Sequence, residues 1–182
     1  MDLKKSMIDR IEKRKSKLIF YIDKLIRQIE NGKMGGEEGR LWLEKYAIGE
    51  GVNLGCGDFP IGESLGLDGD QRVLGMDLWG WVDRYTGNLG PLDYVVTNYL
   101  DCFPDVLLTL RHWHNMLKIG GKIAIVVPNS DVYTNNSGPF SNCHRLHCFS
   151  PSTLRFYLEK IGFKIEVVEL VKNELRVVGV KI

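Results

Sequence analysis

Two glycines one residue apart, Gly55 and Gly57, close the short apolar-leaning run Val52, Asn53, Leu54, with Cys56 between them and Asp58 after. A strand that runs into such a turn lets a ligand touch backbone, because glycine adds no Cβ to the space and tolerates positive φ. Asp68 follows a second short run, Leu65, Gly66, Leu67, and precedes Gly69. This delivers a carboxylate to the carboxyl edge of a sheet, where ligands of open α/β folds sit. A nicotinamide-binding turn is excluded, since Pro60 stands where a third glycine belongs and Asp68 comes too early for the ribose acid of that motif. Cys143, His144, His147 and Cys148 carry the donor types zinc prefers. Their spacing matches no common zinc pattern and no second Cys/His pair completes it, so no metal is expected. His112 and His114, two apart on a helical stretch, point to opposing faces.

The elements that must position these residues alternate between strand and helix patterns. Arg72 to Gly75 reads as a third strand ending near Asp77 and Leu78, and Leu92 to Thr97 as a fourth, followed by Asn98 and Asp101. Pro60 and Gly62 leave no room for a full helix between the first two strands. Val106 to Leu117 has the spacing of an amphipathic helix closed by Gly120 and Gly121, and Lys122 to Val127 is a strongly apolar strand. Ser130 to Ser150 is long, polar and without periodicity; loops of that length in compact domains are often lids. Ser150 caps a helix that opens on Pro151 and stops at Gly162. Phe163 to Leu170 and Leu175 to Ile182 complete a terminal hairpin through Lys172, Asn173 and Glu174. Upstream, Glu37 to Tyr46 reads as a helix. Ahead of it Ile8, Ile11, Leu18, Ile22, Leu25 and Ile29 recur at steps of three and four, with Lys15 interrupting the seam.

In order along the chain, VNLGCGD, PIGESLGLDGD, VLGMDL, LDYVVTNYLD, MLKIGGKIAIVVPN and FSPSTLRFYLEKIGFKIEVVEL resemble the successive motifs of class I S-adenosylmethionine-dependent methyltransferases. The likeness is to the small stand-alone type whose first motif reads LNLGCG. It implies a Rossmann-like α/β sheet of about seven strands, mainly parallel with an antiparallel last strand, over residues 47–182, preceded by a helical extension over residues 1–46. It implies S-adenosylmethionine as cofactor, with Asn53, Gly55, Cys56, Gly57 and Asp58 around the turn and Asp68 with Gly69 at the ribose. Asp77, Leu78 and Asn98 are implied at the adenine end and beside it. Trp79 and Trp81 either cover the adenine or are core or interface aromatics. On the acceptor side, the groups that could take a proton are Asp101, His144 and His147.

At 182 residues with a formal net charge of +1, the chain is one ordinary domain with a core. Met1 to Lys33 holds ten Lys/Arg against five Asp/Glu, so this segment is +5 and the remainder −4. The expected acceptor is a small molecule or a saccharide. Asn98, Tyr99 and Leu100 lack the paired prolines of adenine and glutamine amino methyltransferases, which disfavours those substrates. Two other classes stay open: a nucleic-acid methyltransferase that tracks phosphates with its basic N-terminal helix, and a cofactor-binding scaffold without transfer. The same apolar seam is a candidate for homodimerisation. Neither a signal peptide nor a membrane span is expected, and the cysteine usage suits a reducing cytosol.

Overall fold

The computed structural model describes residues 37–73, 75–87, 89–130 and 146–182, together with Lys15, Ile19 and Ile22. Two compact units divide the chain, Met1–Glu37 and Glu38–Ile182. The seam expected from Ile8 to Ile29 lies outside the described residues except for Lys15 and Ile22, as do Cys143 and His144. The larger unit is a seven-stranded sheet in the order β3-β2-β1-β4-β5-β7-β6. Its strands are β1 (Gly51–Leu54), β2 (Leu65–Asp68), β3 (Leu78–Trp79), β4 (Leu92–Thr97), β5 (Leu117–Pro128), β6 (Phe163–Val171) and β7 (Glu174–Lys181). The strands from β3 to β5 pair in parallel, and β7 is antiparallel to both β5 and β6. This is the Rossmann-like arrangement expected. Its central strands β1 and β4 are almost wholly buried, which is why their sequences are apolar runs without alternation.

One face of the sheet carries α2 (Val106–Met116) and α3 (Pro151–Ile161), with Leu110, Trp113, Leu154 and Leu158 packed on Val95, Ile123, Ile125 and Val177. Asp105 caps α2 by accepting from the Leu108 amide at 2.9 Å. Ser150 accepts from Thr153 N at 3.2 Å ahead of Pro151, and α3 ends on Gly162 at φ 111°. The boundaries of α3 are those the sequence predicts, whereas α2 ends at Met116 and the glycines expected to close it, Gly120 and Gly121, lie within the following strand. The buried Trp113 indole donates to the Val82 carbonyl at 2.8 Å, so the α2 core holds the loop after β3 in place.

Among the described residues, the other face is covered with much less chain. Here α1 (Glu37–Glu44) brings Trp42 and Leu43 onto Val126 and Val178, and the Trp42 indole donates to Glu169 at 3.0 Å. As expected, no helix joins β1 to β2. Fully buried Ile61 takes its place, held by a chain of bonds from Tyr94 to Ser64 Oγ (2.9 Å) and from Ser64 Oγ to Ile61 O (2.5 Å).

The third strand differs from expectation. Of the span expected from Arg72 to Gly75, Arg72 and Gly75 are turn and Val73 belongs to no strand; the paired residues are Leu78 and Trp79. Asp70 accounts for this: its carboxylate accepts from Arg72 N at 3.0 Å and grips the guanidinium at 2.9 and 2.7 Å, closing the chain into a side-chain-bonded turn. The strand begins only once Asp77 N reaches Gly66 O at 2.8 Å. Strand β5 starts five residues earlier than expected, at Leu117, because Leu117 pairs with Leu92 across an irregularity in the ladder.

His114, in the last turn of α2, packs edge-on against Phe163 with ring centres 4.9 Å apart. Burial, and then the nearby Lys181 ammonium, hold its pKa below the ordinary 6.5. The folded state therefore binds this proton less readily than the unfolded chain. Stability that His114 contributes above about pH 6.5 is lost as pH falls from that value toward the depressed folded pKa. Melting temperatures measured between pH 7 and 5 should drop more steeply for the wild type than for His114→Leu; parallel curves would contradict this.

Candidate functional site

The site forms where β1, β2 and β4 end. Thr97 Oγ1, at the end of β4, donates to the Leu54 carbonyl at 2.8 Å and accepts from Tyr99 N at 3.1 Å, which fixes the exits of β1 and β4 side by side. Gly55 then turns at φ 68° and Gly57 at φ 57°. The amides of Gly55 and Cys56 donate to Leu67 O at 2.9 and 3.3 Å. Tyr99 lies directly on Gly55, where a Cβ would come within 2.7 Å of the Tyr99 Cβ.

Asp68 closes β2 and works in two directions. Its Oδ2 accepts from Gly57 N at 3.0 Å and its Oδ1 from Asp70 N at 2.9 Å, so one carboxylate ties the glycine turn to the turn after β2. Beside it in the ladder stands Trp79, whose indole donates to Gly69 O at 3.2 Å. Asp68, Gly69 and Gly55 line a crevice of about 730 Å³. Trp79, Trp81 and Val82 form a second wall, and Tyr99, Cys102 and Phe103 a third. The two tryptophans are 58% and 67% exposed, so neither is a core residue. Arg84 lies over the Trp81 ring at 5.2 Å.

The other expected residues are distributed around this crevice. Asn53 is 1% exposed and its amide is used inside the protein, donating to Val96 O at 3.1 Å and accepting from Ile61 N at 3.0 Å. Cys56 is buried beneath the turn, and Asp58 is half-buried after it. Asp77 accepts from Gly66 N at 3.0 Å, Leu78 packs against the core, and Asn98 is exposed. Asp101, in the 3-10 turn Leu100–Cys102, is buried. Its main-chain carbonyl accepts from Leu146 N at 2.8 Å and His147 N at 3.0 Å, which brings Asp101 and His147 together. The His147 Nε2 is buried and has no hydrogen-bond partner among the described residues.

Tyr99, Cys102 and Phe103 are lining residues that the motif reading did not single out. Their signal is an aromatic pair and a thiol immediately beyond the fourth strand, at the edge where ligands gather. Burial in the first place, then the Cys102 thiol and the Asp68 and Asp101 carboxylates, push the Tyr99 phenol up to about 12. Tyr99 is thus an O–H donor at neutral pH. At the rim, the Arg72 guanidinium holds the Asp70 carboxyl down to about 2.

No protein-family model and no curated protein sequence matches the chain. Solved structures do. A protein of Thermotoga maritima described as a possible histamine N-methyltransferase is 18% identical over 89% of this chain and 96% of its own, with a TM-score of 0.68. An S-adenosylmethionine-dependent methyltransferase of Clostridium acetobutylicum is 10% identical over 90% and 99%, at 0.65. The CcbJ methyltransferase of Streptomyces caelestis is 14% identical over 81% and 95%, also at 0.65. The chain has the Rossmann-like fold of these methyltransferases. No helix of the described residues is long and apolar enough to cross a membrane.

The two turn glycines separate conformational strain from crowding. Gly57→Ala places a side chain in open space at positive φ and should cost about 1–2 kcal/mol. Gly55→Ala adds contact with Tyr99 to the same strain and should cost clearly more. Denaturant midpoints of the two variants check the order, and equal losses would contradict the close approach of Tyr99.

Proposed function

We propose that the chain is an S-adenosylmethionine-dependent methyltransferase acting on a small-molecule or saccharide acceptor. The observation that carries the reading is the pairing of Asp68 with Trp79 on the wall of one crevice at the carboxyl edge of the sheet. A nucleoside asks for acceptors toward its two ribose hydroxyls and a flat apolar wall for its base. Asp68 suits the first task. Its oxygens each take one backbone N–H, and a carboxylate offers about four acceptor positions, so two remain for a diol. Trp79 and Trp81 suit the second, and the Gly55 backbone is bare enough for close approach.

The cofactor supplies an electrophilic methyl group on a sulfonium. The chain's task is to hold two reactants in line and keep water out, for which Tyr99 and Phe103 furnish a wall with one hydroxyl donor. Asp101, His144 and His147 are the groups proposed to accept a proton from a hydroxyl nucleophile. The remaining implied contacts, at Asn53, Cys56, Gly57, Asp58, Asp77, Leu78 and Asn98, divide by geometry. Asn53 is spent on β4 and the Ile61 amide, Cys56 is buried, and Asp77 supports β2, so their part is to shape the cradle.

A screen of metabolites, saccharides and nucleic acids with methyl-labelled cofactor tests the acceptor. Transfer to RNA or DNA that weakens steeply with salt would move the assignment to nucleic acid. Calorimetric cofactor binding without transfer to any acceptor would leave a scaffold.

Asp68→Ala tests the cofactor site. Loss of charge-assisted hydrogen bonds worth roughly 1.5–3 kcal/mol should weaken S-adenosylhomocysteine binding about 10-fold to 150-fold by calorimetry. Because Asp68 also bonds Gly57 and Asp70, the melting temperature without ligand should fall as well. A folded variant that binds as tightly as the wild type would remove the ribose assignment.

A further inference from the structure

We propose that β6 is a self-association surface, pairing edge to edge with a second copy of this chain. Strand β6 ends the sheet, and no strand among the described residues lies on its outer side. It is nine residues long and not retired from contact by burial: Val168 and Leu170 are 37% and 51% exposed. Long exposed edges with apolar side chains are templates for another strand.

The irregularity in β6 decides which strand fits. Pairing with β7 matches Ile165 to Gly179 and Val167 to Val178, so Glu166 is an extra residue and the alternation of faces breaks there. Lys164, Val167 and Glu169 stand in register with Val180, Val178 and Arg176, on the α1 face. Glu166 joins them, since it pairs at 2.8 Å with Lys122 of the same face. Phe163, Ile165, Val168 and Leu170 belong to the α2 and α3 face, beside Val177 and Leu175.

Read from Phe163 to Leu170, the order of faces is the same in both directions about a centre between Glu166 and Val167. Antiparallel neighbours must share a face. A second copy related by a two-fold axis at that centre satisfies this at every position: Phe163 meets Leu170, Ile165 meets Val168, and Lys164 meets Glu169. A register shifted by one residue satisfies it only at the axis, where a residue meets its own copy. Charge agrees with face. The Lys164 ammonium has no ion pair among the described residues, and two-fold symmetry gives it an opposed carboxylate twice over.

Sedimentation of the full chain from micromolar to hundreds of micromolar should show a monomer–dimer equilibrium. Lys164→Glu and Glu169→Lys each oppose like charges twice and should raise the dimer Kd about 10-fold or more. An equimolar mixture of the two variants should recover the wild-type affinity as a heterodimer, because every opposed pair is again of opposite sign. Melting curves and circular dichroism check that both variants are folded, as expected from Lys164 being exposed and the Glu169 side chain bonding, among the described residues, to the Trp42 indole alone. A wild type that stays monomeric, single variants that dimerise as the wild type does, or a mixture that stays monomeric would each overturn the proposal.

Discussion

The buried amide of Asn53 is the interaction on which the rest of this structure depends. It lies in the fully buried strand β1, gives its N–H to β4 and takes the Ile61 amide in return. A polar group buried this deeply is tolerated only when both its donor and its acceptor are satisfied. Here each is satisfied by a different element, so one side chain fixes the spacing of β1 and β4 and the path of the loop between β1 and β2. That path lets ten residues do what a connecting helix does in larger parallel sheets. It carries Ile61 onto the open face and leaves the glycine turn at the sheet edge.

Economy of chain at this crossing changes what the turn can offer a ligand. Where a helix follows the first strand, its N-terminal amides point outward and attract anions. In this protein the amides of Gly55, Cys56 and Gly57 are bonded to Leu67 and Asp68. The turn is therefore a surface for close contact more than a source of donors, and the polar contacts available to a ligand come from side chains around it, Asp68 and Tyr99 among them. The aromatic wall across the crevice is held from behind, since Trp113 reaches through the core to the Val82 carbonyl.

Much of this was legible in the sequence because it rests on local chemistry. Strands β1, β2 and β4, the Ser150 cap with Pro151, and the Gly162 stop are set by runs of apolar residues and by single residues with one strong preference. The third strand was misread because Val73 and its neighbours look apolar, while the deciding contact is the grip of Asp70 on Arg72. Asp68 and Gly55 could be placed at the edge from motif spacing. Tyr99, Cys102 and Phe103 could not, since their position depends on the chain curling back after β4 to lie on a glycine some forty residues earlier in the sequence. The bulge in β6 was equally hidden, as Glu166 differs in no local property from the other charged residues of that strand.

The distances in sequence between partners also order the events of folding. Strands β6 and β7 are joined through Lys172 and Asn173 alone, with Lys172 at φ 55°, so that hairpin closes almost no loop. Asn53 and Val96, by contrast, are 43 residues apart, and their strands meet only after that length of chain has been gathered in. Loop closure of this kind must come before its contacts can reward it. The half of the sheet that ends in Asp68 and Tyr99 is thus the late half, completed on a hairpin that already stands. By the same reasoning it is the region whose amides exchange through partial opening, with the hairpin intact beside it.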